Sequence, residues 1–207
     1  MRHLLDRYPA LAPLTRELAS AGALLERTVR AGGKMLVCGN GGSAADAEHI
    51  VGELMKGFCL PRPLTAKQRQ TLTEAFPGEG PALADSLQQA IPAVSLVAGV
   101  SLPTAFANDV GAVNVFAQQT LGLGRPGDLL WAISTSGNSP NVLAALRVAR
   151  AFGLSTLGMT GPGGGRMADL CDVLLAVPGE STAAIQELHL PVYHALCETL
   201  EQSLFGQ

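Results

Sequence analysis

The sequence predicts an α/β fold in which helices cover both faces of a parallel sheet, and three observations indicate it. Short apolar runs alternate with amphipathic stretches along most of the chain. The runs lack the apolar–polar alternation of a strand with one face in water, so both faces of each strand should be buried. The 24 glycines and 13 prolines indicate many tight turns between these elements. Strands that alternate with helices are typical of a parallel sheet between two helical layers.

The individual elements follow from the same patterns. A long first helix is predicted from apolar residues at helical spacing: Leu11, Leu14, Leu18, Leu25 and Val29. Pro9 and Pro13 suit its first turn or a break just before it, and Gly32–Gly33 ends it. Strands are predicted at residues 34–39, 93–98, 128–134, 154–160 and 171–177. Further helices are predicted at residues 44–57, 82–90, 113–121, 140–152 and 182–205.

Residues 58–81 differ in character from the rest of the chain. Proline and glycine interrupt both ends of this segment, and a polar stretch from Thr65 to Ala75 between them has helical character. The length of 207 residues suits one domain. We therefore interpret residues 1–207 as a single domain with a surface insertion at about 58–81.

Composition excludes several classes of protein. The net charge is −3 and no basic stripe is present, so binding to nucleic acid is not expected. No run of eighteen apolar residues occurs and the N-terminus lacks an apolar signal core, so neither membrane insertion nor secretion is expected. The scattered single cysteines are interpreted as buried thiols of a cytoplasmic protein: Cys38, Cys59, Cys171 and Cys197.

Two loops rich in small polar residues follow predicted strands. One is Asn40-Gly41-Gly42-Ser43, and the other runs from Ser134 through Thr135, Ser136, Gly137 and Asn138 to Ser139, directly before a helix. Ligands of open parallel sheets bind beyond the carboxyl ends of the strands, and helix N-termini favour phosphate. One such loop alone would be interpreted as an ordinary helix N-cap. Two such loops at strand ends favour a ligand.

Two helices carry a second group of candidate residues. His49 and Glu53 are four residues apart, so they share a helix face. Gln186 and His194 lie on the last helix and can face one site, whereas His189 points elsewhere. The His49–Glu53 spacing suits half of a metal site, and it equally suits a buried hydrogen-bonded pair. Spacing alone leaves both readings open.

Several of these motifs, in order and spacing, resemble those of bacterial phosphoheptose isomerases, which are sugar isomerase (SIS) domain proteins. The matching segments are Val37 to His49 continuing to Glu53, Ala107-Asn108-Asp109, Ile133 to Ser139, and Ile185 to His189 ending in His194. Apart from the insertion, the resemblance covers nearly the whole chain. The serine-rich loop is common to many SIS domains, whereas the His, Glu and Gln set is specific to the heptose isomerases.

The resemblance implies a five-stranded, flavodoxin-like αβα sandwich with long terminal helices, assembled as a homotetramer. It implies an isomerase that converts sedoheptulose 7-phosphate to D-glycero-D-manno-heptose 7-phosphate. The implied phosphate ligands are Ser134, Thr135, Ser136 and Ser139. The implied sugar-lining residues are Asn40, Gly41, Gly42, Ser43, Glu53, Asn108, Asp109 and Gln186. The implied zinc ligands are His49, Glu53, Gln186 and His194, and the implied acid–base pair is Glu53 and His194.

Alternative functions remain open at this point. Some SIS tetramers bind the replication initiator and lack parts of the acid–base set, whereas the set is complete here. Sugar-phosphate sensors carry a DNA-binding module, for which this chain has no basic helix. The long segment after Glu53 leaves an isomerase acting on another sugar phosphate as a further alternative.

Overall fold

A computed structural model describes residues 2–206, and its centre is a five-stranded parallel sheet in the order β2-β1-β3-β4-β5. The strands are β1 Met35–Cys38, β2 Ala93–Ser95, β3 Leu129–Ile133, β4 Ser155–Thr160 and β5 Val173–Ala176. The predicted fold class is therefore confirmed. The strand order reverses between β1 and β3, which is where open α/β sheets bind their ligands.

Nine α-helices occur within residues 2–206, and they cover both faces of the sheet. They are α1 Arg2–Arg7, α2 Thr15–Arg30, α3 Gly42–Met55, α4 Ala66–Ala75, α5 Gly80–Ser86, α6 Ser101–Phe106, α7 Val115–Leu123, α8 Pro140–Ala151 and α9 Thr182–Phe205. Met35 and Val37 of β1 pack toward α2, α3 and α9, whereas Leu36 and Cys38 pack toward α7 and α8. This alternation gives the protein two apolar layers. In the described part of the chain, no helix has the length and hydropathy to cross a membrane.

Several predicted boundaries are wrong in instructive ways. The first helix starts only at Thr15, later than its apolar pattern, because Leu11 and Leu14 lie in a 3₁₀ turn at Pro9–Leu14; this is the break that Pro9 and Pro13 allowed. The helix predicted at 82–90 ends at Ser86, since residues 87–92 run back toward the sheet. Helix α6 and the π-helical turn Ala107–Gly111 were not predicted. The last helix has its predicted bounds.

The segment after α3 leaves the sheet and returns at one point, which we call the neck. There Pro63 and Gln88 form an antiparallel bridge, and the backbone N–H of Gln89 donates to the carbonyl of Arg62 at 2.7 Å. Between these residues lie α4 and α5, which pack against each other. None of the ten residues of α4 is buried. The neck therefore confines an exposed pair of helices to one side of the protein.

The cysteines differ from the expectation of four buried thiols. Cys38 and Cys197 are buried and Cys171 is half-buried, but Cys59 is exposed. Cys59 lies just after α3, where its backbone N–H is bonded inward to Glu201 and its side chain faces out. All four are free thiols. Burial raises the pKa of the Cys38 thiol to about 12, so this side chain behaves as part of the core.

Candidate active site

The loop after β3 gathers hydroxyl groups at the start of a helix. The Oγ atom of Ser134 lies 2.9 Å from that of Ser139 and 3.5 Å from that of Ser136. Ser139 immediately precedes α8, and its side chain caps no backbone group within the described residues. Pro140 has no N–H and the N–H of Val142 donates to Oδ1 of Asn141 at 3.0 Å, so the loop hydroxyls are the main donors offered to an anion at this helix N-terminus. We call residues 134–139 the phosphate loop, after the role proposed for them below.

A glycine-rich segment after β4 supports the phosphate loop. Gly137 has φ +64°, and a β-carbon there would collide with the carbonyl of Gly164. The amide side chain of Asn138 donates to the carbonyl of Ser136 at 2.8 Å and accepts from the backbone N–H of Arg166 at 3.0 Å. The sequence analysis missed this supporting role. The signal was the run Gly163-Gly164-Gly165, which begins three residues after the last residue of β4.

The loop after β1 lies beside the phosphate loop, as expected for neighbouring parallel strands. The side-chain amides of Asn40 and Asn141 form two reciprocal hydrogen bonds, at 2.8 and 2.9 Å. A β-carbon at Gly42 would collide with the amide of Gln186, so Gln186 of α9 packs against the start of α3. Asn141 was missed because a lone asparagine in a first turn carries no special pattern. The structure therefore brings Asn40, Gly42 and Gln186 together.

A second group of side chains lies further along α3 and α9. The Nε2 atom of His49 is 3.1 Å from Oε1 of Glu53 and 3.4 Å from Nε2 of His194. The other carboxylate oxygen of Glu53 accepts a hydrogen bond from Lys56 at 3.1 Å. Three of the four residues predicted for metal binding thus lie together. The fourth, Gln186, lies two turns earlier on α9, against Gly42.

Two residues that the sequence analysis missed lie on the side of His49 away from Glu53: Tyr193 contacts His49, and Asp46 contacts Tyr193. The hydroxyl of Tyr193 lies 2.9 Å from Nδ1 of His49 and donates to Oδ1 of Asp46 at 3.3 Å. Burial raises the pKa of Asp46 and that of Tyr193. The signals were the position of Asp46 one turn before His49 and that of Tyr193 directly before His194. This contact fixes the orientation of the His49 ring toward Glu53 and His194.

The surroundings of His194 favour its neutral form. Burial and the nearby imidazole of His49 lower the pKa of His194, against the opposing effect of the Glu53 carboxylate. A neutral imidazole can accept a proton. A cavity of about 330 Å³ opens beside His194 between α1 and α9, with Arg7 and Glu198 in its wall. His194 is therefore accessible to a small molecule.

His189 is fully buried and its Nε2 lies 3.2 Å from the carbonyl of Thr160, so it lies outside this site, as predicted.

The donor atoms around His49 suit zinc in type and in pairwise spacing. Zinc binds imidazole and carboxylate at about 2.0–2.2 Å in a tetrahedron, so neighbouring donors lie about 3.3 Å apart. The distances from His49 to Glu53 and to His194 are close to this value. Within residues 2–206, however, no three His, Cys, Asp or Glu side chains are arranged to hold one ion together. The donor chemistry therefore fits a zinc ion, and the full set of ligands is not assembled.

Asn108 and Asp109 were predicted to line the sugar. They occupy the π-helical turn after α6, where both are exposed and the amide of Asn108 donates to the carboxylate of Asp109 at 2.8 Å. In the described residues, no hydrogen bond joins either side chain to the phosphate loop or to His49. Large apolar side chains nearby are exposed as well, with Val100 at 75% and Val110 at 64%. The role predicted for these two residues therefore stays a prediction.

Comparison with known proteins gives consistent results. The family model for the SIS domain matches residues 7–77 and 71–161. A phosphoheptose isomerase from Akkermansia muciniphila is 37% identical over 201 residues, which is 97% of this chain and 93% of that protein. One from Desulfovibrio desulfuricans is 47% identical over 174 residues, which is 84% of this chain and 70% of that protein. The solved structure of the phosphoheptose isomerase from Neisseria gonorrhoeae has 34% identity and a TM-score of 0.76, covering 95% of this chain and 91% of that one.

These similarities extend over the sheet, the two ligand loops and the last helix, so they include the site described above. They identify the protein as an enzyme, an aldose–ketose isomerase that acts on a sugar phosphate. The chain belongs to the SIS domain family and, within it, to the phosphoheptose isomerases.

Proposed function

We propose that this enzyme converts sedoheptulose 7-phosphate to D-glycero-D-manno-heptose 7-phosphate through an enediol. The observation that carries the proposal is the meeting of Glu53 and His194 around His49, on helices separate from the phosphate loop. A carboxylate and an imidazole are well suited to move protons near neutral pH. The names of the relatives support a seven-carbon sugar phosphate as substrate.

The reaction needs a base and an acid at adjacent carbons. One of Glu53 and His194 removes the proton from C1 of the ketose, and the other donates a proton to the C2 oxygen. The enediol then loses its O1 proton, and a proton is delivered to C2 to give the aldose. The two side chains exchange roles between these half-reactions, so the enzyme returns to its starting protonation state.

The remaining predicted residues would bind the substrate. Ser134, Thr135, Ser136 and Ser139 would hold the phosphate, because the hydroxyls of Ser134, Ser136 and Ser139 gather at the N-terminus of α8. The sugar would lie along the residues between the phosphate loop and His194, namely Asn40, Gly41, Gly42, Ser43 and Gln186. Asn108 and Asp109 would complete this surface from the segment after α6.

A zinc ion would be held by His49, Glu53, Gln186 and His194. When bound, the ion would supply Lewis-acid polarisation of the substrate carbonyl, and it would occupy Glu53 and His194, the same side chains that are proposed to move protons. The test is titration of the metal-free protein with zinc, for which we expect one ion per subunit. His49→Ala should lower the affinity at least tenfold, because one ligand is removed. Unchanged zinc affinity in this variant would contradict the assignment.

The enzyme is proposed to assemble as a homotetramer. Support comes from the exposed apolar residues of the segment before α7: Val100, Leu102, Val110 and Val113. Several large apolar side chains exposed on one short segment are typical of a protein–protein contact. Light scattering should give four times the chain mass of 21.4 kDa, and a mass near that of one chain would contradict the proposal.

The catalytic assignment is tested with Glu53→Gln, His194→Gln and the double variant. Each single variant should lose about 10²-fold or more in turnover, the usual contribution of a positioned acid or base. The double variant should lose little more, because the two groups act as a unit. Sugar-phosphate affinity should persist, since the phosphate is bound elsewhere.

Glu48→Gln is the matched control, because it makes the same change on an exposed position of α3. Melting temperatures of all variants separate loss of chemistry from loss of folding. Normal turnover in Glu53→Gln would contradict the mechanism. Absence of turnover by the parent enzyme with a panel of five- to seven-carbon ketose phosphates would contradict the proposed function and favour an interaction protein.

A further inference from the structure

We infer that the buried ion pair between Arg62 and Glu201 is a positioning device that sets Glu53 and His194 relative to each other. The inference rests on the proposed function for the roles of Glu53 and His194. In the described residues, neither Arg62 nor Glu201 forms a hydrogen bond with a side chain of the candidate site. Both act through the backbone and the helices that carry the acid–base pair.

Arg62 binds the end of α3, the helix that carries Glu53. Its side chain is fully buried, and its Nη1 and Nη2 atoms donate to the carbonyls of Leu54 at 2.8 Å and Glu53 at 3.3 Å. Carbonyls in the last turn of a helix have no partner within the helix. A cation at a helix C-terminus is also favoured by the helix dipole. Arg62 therefore fixes the backbone of Glu53 itself.

Glu201 binds the same region from α9. Its fully buried carboxylate accepts from Nε of Arg62 at 2.7 Å and from the backbone N–H groups of Phe58, Cys59 and Leu60 at 2.7–2.9 Å. Burial alone would raise the pKa of Glu201, but these hydrogen bonds outweigh it and lower the pKa. The carboxylate thus stays ionised at neutral pH and ties the turn after α3 to α9.

The same network reaches His194 by two routes. Glu201 lies seven residues after His194, two turns along one face of α9. The ring of Phe58, whose backbone Glu201 holds, lies 5.4 Å from the ring of His194. One ion pair therefore fixes both the end of α3 and its distance from the part of α9 that carries His194.

The energetics favour a geometric role for this pair. A buried ion pair commonly contributes no more stability than apolar side chains of the same volume, because both charges lose their hydration. Here every bond of the pair is directed at backbone groups around Glu53 or at the turn that ends in Arg62. The hydrogen bonds of the pair therefore fix the orientation of these backbone groups, which an apolar contact cannot do.

Arg62→Lys is the sharpest variant. Lysine keeps the positive charge beside Glu201 but cannot also reach the carbonyls of Glu53 and Leu54, because it has a single donor nitrogen. Turnover should fall about 10- to 100-fold, as expected when a catalytic group is displaced by about 1 Å. KM should change little, since the phosphate loop is untouched. Glu201→Gln should give the same pattern and serves as the second variant.

The matched control is Asp128→Asn. Asp128 forms an ion pair with Lys34 at the amino ends of β1 and β3, whereas the candidate site lies beyond the carboxyl ends of the strands. Its removal should lower the melting temperature while the folded enzyme keeps its kcat. Amide hydrogen exchange over residues 50–60 provides a readout that does not need activity. Exchange there should be faster in Arg62→Lys and unchanged in Asp128→Asn.

Each result decides between the two proposals. Faster exchange with a fall in kcat at constant KM supports the inference. Unchanged exchange, or faster exchange with normal kcat, overturns it while leaving the proposed function in place. A parent enzyme without isomerase activity overturns the proposed function and, with it, the catalytic part of the inference. The exchange result then shows separately whether the pair holds the backbone of Glu53.

Discussion

The phosphate loop and the segment that carries Asn108 differ in how far one chain completes them. The phosphate loop is supported by the glycine-rich segment after β4, through Gly137 against Gly164 and through Asn138. The segment of residues 100–114 has exposed apolar side chains, and the side-chain hydrogen bonds of Thr104 and Asn108 stay within that segment. A region formed by one chain is ready for its ligand. We expect a ligand or a second subunit to cover the exposed apolar side chains of the second region.

The largest effect is expected at the closest contact in the phosphate loop. Gly137→Ala places a methyl group against the carbonyl of Gly164 at a left-handed φ. The strain of about 1–2 kcal/mol and the overpacking of about 1–3 kcal/mol should lower the free energy of unfolding by about 2–5 kcal/mol. Chemical denaturation and turnover should both report the loss. Gly163→Ala is the control, since its φ is also positive but its surroundings are open.

A smaller effect is expected when one ligand of the phosphate is removed. Ser136→Ala should weaken sugar-phosphate binding by about 1.5–3 kcal/mol, roughly 10- to 100-fold, the cost of one hydrogen bond to a charged group. The melting temperature should remain close to that of the parent. Calorimetric titration measures the affinity, with the unphosphorylated sugar as control ligand. Equal affinity of parent and variant would show that this loop does not bind the phosphate.

Asn108→Ala tests whether residues 100–114 contribute to activity without contributing to stability. The exposed side chain has one contact within the described residues, so the free energy of unfolding should change by less than about 0.5 kcal/mol. If Asn108 lines the sugar in the working enzyme, kcat/KM should fall about tenfold, as for one lost hydrogen bond. Unaltered kcat/KM would place Asn108 outside the site.

The last prediction concerns assembly rather than the stability or affinity of a single chain. Leu102→Ser combined with Val110→Ser removes apolar contacts worth about 1.5–3 kcal/mol per buried side chain. The mass from light scattering should fall from four chains toward one. Phe152→Ser is the control, because this exposed residue follows α8, outside the open segment. An unchanged mass in the double variant would show that the open region is not an interface.

The sequence predicts the sheet and the last helix well because their patterns are local. Continuous apolar runs identify all five strands, and Ser181 starts α9 with a side-chain cap at the predicted place. Boundaries fail where tertiary contacts decide. Helix α5 ends early because the chain turns back to the neck, and no local pattern marks residue 86 as its end.

The candidate site shows the same division between local and tertiary signals. His49 and Glu53 share a helix face, so their contact follows from spacing alone. Their meeting with His194 joins residues 145 positions apart and requires the packing of α3 against α9. The resemblance to a family supplied that pairing. Neither residue spacing nor the family resemblance identified Asp46, Tyr193 and Asn141, since each acts only through a partner distant in sequence.

The neck has a consequence for how this chain can vary. Because Pro63 and Gln88 are paired, residues 64–87 form a closed excursion whose two ends enter the core side by side. Doubling the length of a flexible loop between fixed ends costs only about 0.6 kcal/mol in closure entropy. The excursion can therefore be lengthened, trimmed or replaced while the core meets the same two chain ends. The exposed helices of residues 64–87 can therefore change without altering the part of the core that carries Glu53.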